Sequence, residues 1–164
     1  MEEITIVEET TPQTEPLEPQ AEPQSPEQPK TKKEILSDLL TSRTGAFDLK
    51  ITHADLKYLK NTMQSKVEWK GPNEAYLTIM TILTLSNALD EMNPKATEAV
   101  TVKLPSSTFE SLNYFLNKIS GTGLDSAQRL FSATMILRPT IEAIKKLDAE
   151  IDTLKEELKT EEKS

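Results

Sequence analysis

The chain has 164 residues, no cysteine, one histidine, four glycines and a formal charge of −8. That length suffices for one domain with a real core, while the missing cysteines exclude disulfides, thiolate catalysis and every cysteine-bearing zinc site. The charge is unevenly placed: eight of the 27 acids lie in residues 1–29, which hold no base, and the remaining 19 acids face all 19 Lys and Arg.

Residues 1–30 therefore form the first unit, an acidic tail with six of the ten prolines. Such a composition cannot bury enough apolar surface to offset its ordering entropy, and it predicts a disordered, polyproline-like segment. Near its start, Ile4-Thr5-Ile6-Val7 is the one apolar cluster, which makes Ile4, Ile6 and Val7 a candidate tethered peptide for a partner. The acidic start is the opposite of a secretory or mitochondrial leader. With no membrane-length apolar run, it predicts a cytoplasmic protein or a component of a larger assembly, a virion included.

From residue 31 onward every glycine and every remaining proline lies between apolar-periodic runs or at their edges. A first helix is expected over 31–42, with Ile35, Leu36, Leu39 and Leu40 on one face. A second opens on Thr52-His53-Ala54-Asp55, a capping-box pattern, and carries Leu56, Leu59 and Met63 inward. A third, over 73–92, is apolar around most of its circumference, leaving a polar stripe through Glu74, Thr78 and Thr81; such a helix is expected to be central and packed on several sides. Its uncharged stretch, 75–89, is too short to cross a hydrocarbon core of ~30 Å.

Residues 99–105 alternate Val100, Val102 and Leu104 with Thr101 and Lys103, and as a lone strand-like segment they read as an extended connection. A fourth helix is expected from the capping pattern Ser107-Thr108-Phe109-Glu110 to Gly121, and a fifth from Asp125 to a kink at Pro139. A final helix follows over 140–161. The fold class is all-α: a helical domain over 31–139, a bundle of five to six helices counting the long, Pro139-kinked C-terminal one, and an amphipathic, coiled-coil segment over 140–164.

In that last segment Ile144, Leu147, Ile151, Leu154 and Leu158 are spaced three and four apart, and Leu137 and Leu130 extend the same register upstream. Ile at a with Leu at d favours a parallel two-stranded coil, in which Glu150 would face Lys155 of the other chain, and Glu161 at d would end the seam. Leu137, Ile144, Leu147, Ile151, Leu154 and Leu158 are therefore the expected partner-helix interface, whether the partner is a second copy or another protein.

No chemistry is named by the rest. His53 lacks a partner residue for metal or nucleophile, no phosphate loop is present, and the C-terminal glutamates alternate with lysines on a solvated face. No cofactor, metal or small-molecule substrate is expected. The leading reading is a non-catalytic interaction or assembly protein, accessory or chaperone-like; the alternative is a regulator touching nucleic acid through Lys50, Lys57, Lys60 and Lys66. Asp48, Asp55 and Glu68 interleave with those lysines and weaken that alternative.

Overall fold

The computed structural model of the protein describes residues 30–161. The described residues are mostly helical, with one small sheet. Helix α1, Lys32–Thr44, starts on a complete capping box: the Thr31 hydroxyl accepts the Glu34 N–H at 3.3 Å, and the Glu34 carboxylate accepts the Thr31 N–H at 2.7 Å. Beyond Gly45 the chain turns into strand β1, Ala46–Ile51. Helix α2, His53–Ser65, is capped by Thr52, whose hydroxyl accepts the Asp55 N–H at 3.1 Å. Asp55 answers with its carboxylate to that hydroxyl at 2.7 Å. Helix α3, Gly71–Asp90, strand β2, Val100–Pro105, helix α4, Ser106–Leu116, and helix α5, Leu124–Glu161, complete the order.

Two expectations are corrected here. The segment 99–105 is not an unpaired connection: β2 pairs antiparallel with β1, in register from Ala46 opposite Pro105 to Ile51 opposite Val100. The partner strand has its own period-two signal, Phe47, Leu49 and Ile51 against Asp48 and Lys50, short and squeezed between two helix signals. The cap expected at Ser107 is also absent; α4 begins directly after Pro105 without a side-chain cap, and Glu110 instead meets Arg43 of α1. The long C-terminal helix expected to run through Pro139 is one 38-residue helix with the proline inside it. The Thr140 hydroxyl next to it donates to the Asp48 carbonyl of β1 at 3.1 Å, anchoring α5 to the ribbon.

The core forms where the ribbon, α2, α4 and the middle of α5 meet. Leu49, Ile51 and Leu104 from the strands meet Leu56 and Leu59 of α2, Phe109 and Leu112 of α4, and Leu137 of α5, all nearly inaccessible. Phe47 meets Phe109 edge-on, with ring centroids 6.5 Å apart. Helix α3 packs on α2 and α4, while α1 packs on α5.

The α1 contact decides the fate of the C-terminal stripe. Lys32 at the start of α1 pairs with Glu157 at 2.9 Å and Glu161 at 2.6 Å, and Arg43 at its end pairs with Asp148 at 2.6 Å and also with Glu110. These two anchor points make the α1–α5 pair antiparallel. The helix that covers the stripe thus comes from the same chain.

Candidate interaction surface

Helix α3 is built from an awkward start. Gly71 has φ +76°, a conformation that side chains rarely adopt, and Pro72 follows in the first turn, where its missing N–H costs nothing. The Glu74 carboxylate accepts the Lys70 N–H at 2.7 Å, closing the end of the helix.

Its inward row is Thr78, Thr81, Leu85 and Ala88. The two hydroxyls donate to the carbonyls of Glu74 and Leu77 on their own helix, each at 2.8 Å, so the threonines are buried with their polar atoms satisfied. Small and β-branched residues in this row let α2 and α4 approach closely. The polar stripe of the helix is therefore the one that faces the core.

The larger apolar residues point outward as a result. Tyr76 is 62 % exposed, Ile79 56 % and Leu83 51 %, with Leu77 and Met80 beside them at about two fifths. Helix α3 is consequently not the central helix; its apolar circumference exceeds what two neighbours cover. A residue set that is apolar all round fixes no inward direction by its period, and the threonine row could be buried cheaply because its hydroxyls bond along the helix.

On the α4 side of the first turn of α3 lies a polar cluster. The Tyr114 hydroxyl of α4, the Lys70 N–H and the Lys118 ammonium, at 3.1 Å, all bond the Glu74 carboxylate and hold it down at about 2, the Tyr114 hydrogen bond contributing most. The Lys118 ammonium also bonds the Tyr114 hydroxyl, and that bond with the one to Glu74 raises its pKa; it lies 3.7 Å from the Tyr114 ring centroid. The cluster ties the first turn of α3 to the end of α4. At the other end, Asp90 and Glu91 close the helix. A second, smaller apolar stripe lies on the outer side of the first turns of α5, where Leu124 and Phe131 are about 70 % exposed and Met135 is two-fifths exposed.

The residues expected at a partner-helix interface lie on α5. Leu137, Ile144 and Ile151 are buried, and Leu147, Leu154 and Leu158 half-buried, within this chain's own fold. The lysines of the nucleic-acid alternative do not form one patch. Lys50 stands on the outer face of β1, Lys57 and Lys60 share the outer side of α2, and Lys66 lies about 9 Å further along the α2 axis, by a depression that Glu68, Lys70, Glu74 and Lys118 also line. Ile4, Ile6 and Val7 lie outside the described residues. His53 is half-exposed in the first turn of α2. Among the described residues no helix is long and apolar enough to cross a membrane.

The outward face of α3 was missed by sequence reasoning, although a signal existed. A helix whose inward row contains hydroxyl groups that can bond back along the chain has two candidate inward faces, and only the neighbours choose between them. Compared with known protein families, with curated proteins and with solved structures, the chain has no match.

Proposed function

We propose that this is a non-catalytic interaction and assembly protein whose contact surface is the outward face of α3. The observation that carries the reading is five large apolar side chains, Tyr76, Leu77, Ile79, Met80 and Leu83, that the described residues of the chain leave 40 to 62 % exposed. Patches of this kind on soluble domains mark contact sites. In this reading the C-terminal helix contributes rigidity, because its stripe is already held by α1, and the N-terminal tail carries Ile4, Ile6 and Val7 as a second, tethered contact.

The test compares the wild type with an Ile79→Ser/Leu83→Ser double variant, each tagged and cross-linked in cells of the source. The wild type is expected in complexes that the variant does not enter, while Leu154→Ser/Leu158→Ser, if it folds, still enters them. Identical complexes for wild type and α3 variant would retire the reading.

The nucleic-acid alternative retains one observation: Lys50, Lys57, Lys60 and Lys66 have no ion-pair partner among the described residues. Salt-dependent retention on DNA or RNA, lost in Lys57→Glu/Lys60→Glu, would favour it.

A further inference from the structure

We infer that the outward face of α3 is covered by the same face of a second copy, the two helices running antiparallel about a two-fold axis near Met80. This rests on the reading of that face as a contact surface and commits it to one occupant. An interface about a two-fold axis must be self-complementary, with residue i meeting j and j meeting i. The middle of α3 meets that condition, since residues 75–89 contain no Asp, Glu, Lys or Arg, so the central turns of two copies approach without like charges.

The ends of the helix choose the direction. Lys70 stands at the N-terminus of α3 and Asp90 with Glu91 at the C-terminus. These are the wrong ends for the helix's own macrodipole, which favours acids at its start and bases at its finish. Lys70 and Asp90 are exposed and without an ion-pair partner among the described residues. In an antiparallel pair centred on Met80, Lys70 of each copy lies beside Asp90 of the other, and each charge meets the end of the partner's dipole that suits it. A parallel pair would set acid on acid and base on base.

The area is sufficient. Five side chains, each exposing roughly half of ~150–200 Å², leave a patch of about 450 Å² on each copy, within the ~300–600 Å² of the largest, often functional, patch on a typical monomer. Two such patches with their flanks, Pro72 and Asn87 among them, approach ~1,200 Å², the lower limit of specific interfaces. Dimerisation is therefore expected with a Kd in the micromolar range.

Light scattering and sedimentation of the full chain over about 1–200 µM are expected to show the mass rising from 18.4 kDa toward twice that value. Ile79→Glu/Leu83→Glu stays monomeric with an unchanged circular dichroism spectrum. Lys70→Glu and Asp90→Lys each weaken the dimer, and the two changes together restore it. Since the chain has no cysteine, single replacements report direction: Met80→Cys, on the axis, oxidises to a covalent dimer faster than Tyr76→Cys, whose two copies lie about 12 Å apart along the helices. A full chain that is monomeric at every concentration overturns the inference, whether the tail or a different protein holds the face. The broader reading of α3 then survives if complexes in cells still depend on Ile79 and Leu83. A dimer indifferent to the α3 variants, or cross-linked as fast through Tyr76→Cys, also overturns it.

Discussion

Two helices of this protein carry apolar faces that meet opposite fates. The C-terminal half of α5 has the regular three-four stripe that ordinarily suggests a partner molecule, yet Ile144 and Ile151 are 3 % and 4 % exposed within the chain. Helix α3 has apolar residues nearly all round, the usual mark of a central helix, yet Ile79 and Leu83 are more than half exposed. The difference lies in the neighbours. α1 supplies a matching face and a charge at each end, Lys32 and Arg43, and as part of the same chain it meets the stripe at high effective concentration. α3 has neighbours on one side only. Periodicity measures how much apolar surface a helix has and how it is arranged; coverage depends on which other elements the chain brings to it.

The comparison breaks first where the stripe is covered. Leu137→Ala, at a site with 0 % exposure, is expected to destabilise the fold by about 3 kcal/mol in denaturant unfolding, from lost burial and the cavity left behind. A loss below about 1 kcal/mol would mean that α5 is held loosely and that its stripe is free for a partner. Next comes the clamp that keeps α1 on α5. Arg43→Ala removes the contacts to Asp148 and Glu110, both still half solvated, and is expected to cost about 1–2 kcal/mol. Hydrogen exchange over 32–44 should rise more than in α2; unchanged protection there would show the clamp to be idle.

The first turn of α3, where it joins α4, gives a pH-dependent effect. The Glu74 carboxyl lies at about 2 in the fold, below its ordinary 4.5. Its network therefore contributes fully above about pH 4.5 and loses that contribution as the pH falls toward 2. The stability difference between wild type and Glu74→Gln should shrink across that window, and parallel pH profiles would refute the network's role. The smallest effect is expected on the face itself. At concentrations where the chain is monomeric, Leu83→Ser should shift stability by less than about 0.5 kcal/mol, since the side chain is already half in water. A loss approaching that of Leu137→Ala would show that the face is covered within the monomer, and the contrast between the helices would disappear.

Much of the helical architecture is legible along the chain. Thr52 as the cap of α2, the inward set Leu56, Leu59 and Met63, and the a-position register from Leu137 through Ile144 to Ile151 follow from local spacing, which sets which residues share a helix face whatever lies opposite. The rest required distant segments to meet. β1 and β2 are some fifty residues apart, and each is only six residues long, so neither identifies the other. The inward direction of α3 rests on Thr78 and Thr81 bonding to their own helix, a choice that becomes favourable only when α2 and α4 press against that row. Which helix covers the C-terminal stripe depends on α1 arriving antiparallel, with Lys32 at Glu157 and Arg43 at Asp148. Local sequence determined the faces, because backbone geometry alone relates residues three and four apart. Only the tertiary structure decided which faces close and which stay open, because that depends on the shape and charge of elements far away in the chain.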